Sequence, residues 1–439
     1  MKIDQLGSWR RTHYSTEITP KMDGKEVIAL GWIRDIRDLG GIRFVILQDK
    51  EGIVQITIPR DEANPEVLKK AGSLQRQYSI GVKGRVKKME QAPGGAEIIP
   101  SEIRVLGIAK HPLPLDITGK TPAEIDVRLD ARVLDLRRDE NRAIFKIQHV
   151  TLESIRSFLS KRGFIEVHTP KIIASATEGG ASLFPVAYFG REAFLAQSPQ
   201  LYKEQLIMDF EKVYEIGPVF RAEKSHTRRH LSEIISIDME EAYATAEDVM
   251  KCLEELVCHV YEVVKENCQK ELKILKREIE VPKMPFKRFT YDEILRELRE
   301  EKVRVKWGED IPTNAFRALG KIHPYFYFIV DWPSKVKPFY IKPRDDDPKL
   351  SEGFDFMWGW IELASGGTRV HSKSLLTKRL KEQGLSPESF KYHLKAFDYG
   401  MPPHAGWAVG LARLIMTLTG KKNVREVVFF PRDRFRLTP

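Results

Sequence analysis

Residues 406–413 read Gly-Trp-Ala-Val-Gly-Leu-Ala-Arg, a glycine-spaced strand that runs into a helix, and the fold of the second half of the chain turns on them. Taken alone, the stretch is equally compatible with a packing motif. Working back along the chain, two carboxylates occupy mostly apolar surroundings in Gly353-Phe-Asp355 and Ile361-Glu362-Leu-Ala-Ser365-Gly-Gly-Thr-Arg369. Acidic residues on a solvated strand fit poorly with such neighbours. Further back stands Phe220-Arg221-Ala222-Glu223, then a polar basic loop from Lys224 to His230, Leu231, and a strand over Ile234–Glu240. If the stretch is extended, Arg221 and Glu223 share a face, a pattern that ordinarily marks a surface ion pair. The first of the segments is Gly163-Phe-Ile-Glu-Val-His-Thr-Pro170, a helix-to-strand passage closed by proline.

The rest of the sequence frames these segments. The chain has 439 residues, 42% of them hydrophobic, enough for substantial cores and more than one domain. Charged residues of both signs make up 31%, which excludes a largely disordered chain, and the net charge of +10 suits a polyanionic partner. Cys252, Cys258 and Cys268 lie in one helical stretch at no metal-binding spacing, so they read as apolar fillers in a reducing compartment. The N-terminus lacks the apolar core of a signal peptide, and no run of about 18 apolar residues spans a membrane; a cytoplasmic protein is expected.

Residues 1–105 read as β structure. Strands are expected over Val27–Trp32, Phe44–Leu47, Ile53–Ile58, Ser79–Val86 and Glu97–Val105, with a helix over Glu66–Ala71 and turns at Asp38–Gly41, Asp49–Gly52 and Ala92–Gly95. Five short strands and one helix suit a small Greek-key barrel of the OB type. Residues 106–135, with Pro112, Pro114 and Pro122, read as a hinge. From 136 to 439 helices and strands mix: a helix over Ile144–Leu159, a strand over Phe164–His168, and a longer helix capped near Thr245–Asp248 with a core stripe of Val249, Leu253, Leu256, Val257, Val260 and Val264. The expected class is α+β, a five-stranded barrel followed by a larger domain.

In this order, the three segments around Pro170, Arg221 and Gly406–Arg413 resemble the three motifs of the class II aminoacyl-tRNA synthetases. With the OB-like front end and the terminal FPRDRFRLTP, the chain is similar throughout to the aspartyl branch of that class, of the archaeal and eukaryotic type. The resemblance implies an antiparallel sheet flanked by helices, an anticodon-binding OB-fold, and a homodimer joined around Pro170. It also implies a two-step reaction. The amino acid's carboxylate attacks the α-phosphorus of ATP, and the acyl group then passes to the terminal ribose of tRNA. An ionised carboxylate needs no protein nucleophile, so catalysis rests on positioning and on cations facing phosphate charge.

By that resemblance Arg221 bridges the α-phosphate and the amino-acid carboxylate, a task for a forked guanidinium. Glu223 accepts from the adenine amino group, Arg413 stacks on adenine and reaches the γ-phosphate, and Arg229 and His230 face the terminal phosphates. Ala222, Leu231, Glu362, Gly410, Leu411 and Ala412 complete the implied ATP site. The chain departs from better-known members in having no aromatic near Ile234 to stack on the base. Asp355, Glu362 and Ser365 are oxygen donors of the kind Mg2+ takes while keeping waters and bridging phosphates.

The substrate strand is expected in Gln197-Ser-Pro-Gln200-Leu-Tyr-Lys203. Arg369 is the implied holder of the side-chain carboxylate, joined by Gln200, Arg221, Asp238 and Ser365. Glu178, in a glycine-bearing loop, is expected to meet the substrate ammonium. Asparaginyl enzymes keep the arginine but usually lack a lysine at Lys203 and tend to have glutamate at Asp238, so L-aspartate is expected. In the barrel, Phe44 matches the stacking platform for an anticodon base, with Arg37, Gln55 and Glu97 beside it; Phe44 as plain core is the other reading. Acceptance of tRNA(Asn) besides tRNA(Asp) is linked in the archaeal branch to positions matching Arg34 and Pro93. Tolerant enzymes often carry tryptophan and lysine there, strict ones histidine and proline. Pro93 leans to strict and Arg34 matches neither. The alternatives are an asparaginyl enzyme and a non-catalytic RNA-binding relative.

Overall fold

The computed structural model describes residues 2–174, 183–222 and 230–439, and the chain forms two compact units, 1–134 and 135–439. In the first unit β1 (Glu26–Asp38), β2 (Ile42–Gln48), β3 (Ile53–Pro59), β4 (Ser79–Lys88) and β5 (Ala96–Gly107) close into a barrel in the order β1-β2-β3-β5-β4. Strict alternation drives the closure: Val45 and Leu47 of β2 and Val54, Ile56 and Ile58 of β3 point inward with Val27, Ile80, Val82 and Ile98. Helix α1 (Pro65–Gly72) starts at Asn64, whose side chain accepts the Val67 N–H at 3.0 Å, with Pro65 pre-set for the first turn. All five expected strands and the helix form.

The stretch 106–135 contains two short helices, α2 (Ile125–Asp130) and α3 (Arg132–Asp135). The second unit continues with α4 (Asp139–Lys161), β6 (Ile165–Glu166), β7 (Ile172–Ile173), β8 (Pro185–Tyr188), β9 (Arg191–Leu195), α5 (Gln200–Phe210), β10 (Lys212–Phe220) and β11 (Glu233–Ala242). There follow α6 (Ala246–Asn267), α7 (Gln269–Ile274), β12 (Lys287–Thr290), α8 (Tyr291–Glu300), α9 (Thr313–Ile322) and β13 (Phe326–Val330). The chain closes with β14 (Gly353–Trp358), β15 (Ile361–Thr368), α10 (Lys373–Glu382), α11 (Lys391–Ala396), β16 (His404–Gly410) and α12 (Leu411–Thr419).

One eight-stranded sheet, ordered β12-β13-β14-β15-β16-β11-β10-β6, organises this unit. It is antiparallel from β13 to β10, and β12 and β6 add in parallel at the edges. β7, β9 and β8 form a small separate sheet. The strand expected over Phe164–His168 shortens to Ile165–Glu166, paired with Val213 and Tyr214; beyond it the Val167 N–H still reaches the Tyr214 carbonyl at 2.8 Å, and the Thr169 N–H turns to the Glu215 carboxylate at 2.9 Å.

Period two gives the large sheet unlike faces. Ile237 and Met239 of β11, Ala405, Trp407 and Val409 of β16, and Phe354 and Phe356 of β14 enter a core shared with α4, α6 and α12. The expected stripe on α6 lies wholly within it. Thr245 and Asp248 cap that helix reciprocally, the Asp248 carboxylate accepting from the Thr245 N–H at 2.9 Å and from its hydroxyl at 2.7 Å. Cys252 and Cys258 lie on α6 and Cys268 at its end, all free, and burial pushes their thiols up to about 12, 11 and 11. Among the described residues no helix is long and apolar enough to cross a membrane.

Gly366 sits on the core face of β15, paired with Phe354 on one side and Trp407 on the other. A Cβ there would meet the Gly406 carbonyl at 2.5 Å, Phe354 Cζ at 2.6 Å and Trp407 Cβ at 2.8 Å. Gly366→Ala is expected to cost about 1–3 kcal/mol of unfolding free energy, the usual scale of overpacking. Urea denaturation measures it, and an unchanged midpoint would show that the rings yield freely.

Candidate functional site

The other face of the sheet carries acids, hydroxyls and glycines. The pairings Asp238↔Ala408, Ala408↔Ser365 and Ser365↔Asp355 set one row across β11, β16, β15 and β14. Glu240↔Gly406, Gly406↔Gly367 and Gly367↔Gly353 set the next. Paired residues share a face, so Ser236, Asp238 and Glu240 line one flank and Asp355 with Ser365 the other. A bare floor of glycine and alanine lies between them. At Gly406 a Cβ would run into the Glu240 carboxylate and the Met239 carbonyl, so glycine is required there.

Helix α5 covers the first flank, which corrects the expectation of a substrate strand ending at Lys203. Pro199 turns the chain, and Gln200, Lys203, Glu204 and Ile207 recur at helical spacing on its buried side. Lys203, only 2% exposed, has Asp238 Oδ1 at 3.1 Å and Glu240 Oε2, the Met239 carbonyl and the Trp407 carbonyl at 3.3 Å. Arg369, equally buried, donates from Nε to Glu240 Oε1 at 2.8 Å and from Nη2 to Oε2 at 3.2 Å. Ser236 donates to Asp238 Oδ2 at 2.6 Å. Burial pushes the Glu240 carboxyl up, but the Arg369 and Lys203 charges outweigh it and hold the group ionised. Burial likewise disfavours the Arg369 cation, and Glu240 more than restores it.

Glu240 was not anticipated, although its signal was present: two residues beyond Asp238, it must share that residue's face. Glu204 and its two imidazole neighbours, His393 and His404, were also missed.

On the other flank the chain spacing is misleading. Glu362 and Ser365 are three apart, which in a regular strand puts them on opposite faces. The ladder shifts register there: Glu362 pairs with Met357 and Ala364 with Phe356, so Leu363 is an extra residue. This bulge returns Glu362 to the face of Ser365 and Asp355. Lys337, which carries no sequence signal, reaches Asp355 Oδ1 at 2.6 Å. Burial pushes the Asp355 carboxyl up to about 6, opposed by Lys337 and reinforced by the Glu362 charge. Two carboxylates and a hydroxyl against one lysine leave a net negative oxygen set, suited to a hard divalent cation that keeps waters. Among the described residues no three His, Cys, Asp or Glu side chains converge as a metal cage.

Gly410 ends β16 and precedes α12, and Arg413 in its first turn donates to the Glu362 carbonyl at 2.6 Å. Leu231, Leu411 and Ala412 are buried. Arg221 and Ala222 follow the end of β10 instead of lying in it. The Arg221 N–H bonds to the Ser232 carbonyl at 2.9 Å, and the Ser232 N–H bonds to the Arg432 carbonyl at 2.8 Å, which brings the C-terminal segment alongside. His230 is half-buried and precedes β11, which begins at Glu233. Glu178, Glu223 and Arg229 lie outside the described residues.

In the barrel, the register Arg37↔Phe44↔Thr57 and Ile46↔Gln55↔Glu97 puts the expected base-contacting residues on one outer face of β1, β2, β3 and β5. Phe44 is half-buried and outside the apolar core, against its reading as plain core. Glu97 is buried, accepting from Gln55 Nε2 at 3.0 Å and from the Thr57 hydroxyl at 2.5 Å. Arg34 falls at an irregularity in β1, and Pro93 starts the turn between β4 and β5.

Residues 124–434 match the family described as tRNA synthetases class II (D, K and N), and residues 27–106 match the OB-fold nucleic acid binding domain. The Aspartate--tRNA(Asp/Asn) ligase of Methanopyrus kandleri is 54% identical, over 97% of this chain and 99% of that protein. The ligase of the same name from Methanothermobacter thermautotrophicus is 53% identical, over 99% and 100%. Among solved structures, asparaginyl-tRNA synthetase from Pyrococcus horikoshii complexed with asparaginyl-adenylate has a TM-score of 0.92 at 33% identity, covering 98% of this chain and 100% of its own. The aspartyl tRNA synthetase from Entamoeba histolytica has a TM-score of 0.87 at 31% identity, covering 100% and 96%. The chain belongs to the class II tRNA synthetases of the D, K and N group, with an OB-fold nucleic-acid-binding domain preceding the synthetase domain.

Proposed function

We propose that this chain activates L-aspartate with ATP and transfers it to tRNA(Asp), with tRNA(Asn) as a second acceptor. The observation that carries the reading is the buried Lys203–Glu240–Arg369 cluster, which sets two cations on the floor where the amino-acid side chain would rest. Glu240 takes Nε and one Nη of Arg369, which leaves the second Nη for a carboxylate. Lys203 shares its three protons among four oxygens, the longest contacts at 3.3 Å, and a substrate carboxylate replaces one of these. The relatives named Aspartate--tRNA(Asp/Asn) ligase support both the amino acid and the two tRNAs. The likeness to an asparaginyl enzyme makes asparagine the reading to exclude.

In this scheme Arg221 holds the α-phosphate beside the attacking carboxylate, and Glu223 accepts from the adenine amino group. Arg413, anchored on the Glu362 carbonyl, lies over the base and reaches the γ-phosphate, while Arg229 and His230 take the terminal phosphates. Glu178 and Asp238 face the substrate ammonium. Asp355, Glu362 and Ser365 would hold Mg2+, which when bound neutralises phosphate charge. Phe44 stacks on an anticodon base while Arg37 and Gln55 read its neighbours. The protein works in the cytoplasm as a homodimer joined around Pro170, where Ile165 and Ile172 are about half exposed.

Aspartate should drive pyrophosphate exchange and asparagine should not; the reverse pattern would overturn the assignment. Lys203→Met should lower kcat/KM for aspartate about 100-fold or more, the scale of an unmatched charge in a dry pocket. Asp355→Asn should raise the Mg2+ concentration for half-maximal exchange roughly tenfold, and an unchanged titration would remove Asp355 from the metal set. Phe44→Ala should leave exchange intact and raise the KM for tRNA about tenfold, the equivalent of one lost base stack. Charging purified tRNA(Asp) and tRNA(Asn) with labelled aspartate at a stated salt concentration decides the acceptors.

A further inference from the structure

Glu204 follows Lys203 on α5 and is fully buried, yet the chemistry above gives it no task. Both its oxygens face partners. Oε1 accepts from Gln200 Nε2 at 2.6 Å, one helical turn back. Oε2 has His393 Nε2 of α11 at 3.2 Å and His404 Nε2 of β16 at 3.7 Å. His404 Nδ1 lies 2.8 Å from the Pro402 carbonyl, which only accepts, so Nδ1 carries a proton. Its Nε2, 3.7 Å from the carboxylate, is beyond hydrogen-bond reach, so the attraction between them is one of charge once the ring is cationic. Burial pushes Glu204 up, but the two imidazoles outweigh it and hold the group well below the usual carboxylate range, while Glu204 raises His404 against its own burial.

An ionised carboxylate can only accept. Gln200 must therefore turn its NH2 toward Glu204, and its carbonyl oxygen is left on the opposite side as an acceptor. Gln200 precedes Lys203 by three residues, so the two share one face of α5, the face whose lysine lies on Asp238 and Glu240. Among the polar groups of an amino acid at neutral pH, the ammonium is the strong donor. We infer that Glu204 is a positioning residue that fixes the Gln200 amide so that its carbonyl oxygen receives the substrate's α-ammonium group, with His393 and His404 closing the far side of Glu204. This rests on Gln200 belonging to the amino-acid pocket proposed above.

A double-mutant cycle on the full-length protein tests it, read by pyrophosphate exchange. Glu204→Gln offers an amide that can donate or accept, so it releases the lock while keeping the shape. It should raise the KM for aspartate roughly tenfold and leave the KM for ATP unchanged, and Gln200→Ala should do the same. In the Gln200→Ala background, Glu204→Gln should have no further effect. Succinate, which lacks the ammonium, should inhibit the wild type and Glu204→Gln with equal constants. If Glu204→Gln unfolds at the assay temperature, Glu204→Asp, which keeps the charge but withdraws it by one methylene, completes the same cycle. Effects that multiply in the double variant, or an ATP KM that rises alongside, overturn the inference. A coupled cycle seen with asparagine instead of aspartate would uphold Glu204's role and refute the proposed amino acid.

Discussion

Two cations and two anions, Lys203 and Arg369 with Asp238 and Glu240, are buried together on one face of the central sheet, and the second unit is arranged around them. Removing an ion from water costs several kcal/mol even after relaxation, and pairing seldom returns more than that. Such a cluster is therefore a poor way to stabilise a fold. It is tolerable because every charge has an opposite neighbour within 3.3 Å and the four sum to zero. Its benefit is a set of donors held in place before any ligand arrives, which spares the reorganisation that water would require.

The cluster constrains its surroundings. Glu240 fills the space where a side chain at position 406 would stand, so β16 must be glycine there, and Gly367 and Gly353 extend the bare strip. The same strands send Trp407, Ile237 and Phe354 to the opposite face, where α4, α6 and α12 bury them. Stability thus comes from one side of the sheet, while the buried charges and oxygen donors gather on the other. The glycines weaken the strands, and the aromatic residues beneath them supply the burial that offsets it.

Much of this was legible because it follows from periodicity. The barrel strands, the α6 stripe and its Thr245–Asp248 cap are local patterns that tertiary packing did not overrule. Lys203, Arg369 and Asp238 were singled out through family motifs, and the structure brings these three together around Glu240. What escaped came from packing between distant segments. Lys203 was expected on a strand because 197–203 resembles the substrate strand of the aspartyl branch; the turn at Pro199 and the burial of Gln200, Lys203 and Glu204 settle it as a helix. Lys337 meets Asp355 across 18 residues and His393 meets Glu204 across 189, separations for which no local pattern exists.

The extra residue at Leu363 has a meaning beyond its own geometry. Counting along the sequence assigns Glu362 and Ser365 to opposite sides of their strand; the bulge reverses that parity, and only then do two oxygen donors join Asp355 on a common surface. In most of a protein, gaining or losing one residue changes how long a connection is. In β15 the same event changes which groups can meet, so the length of this strand is inherited as part of the chemistry.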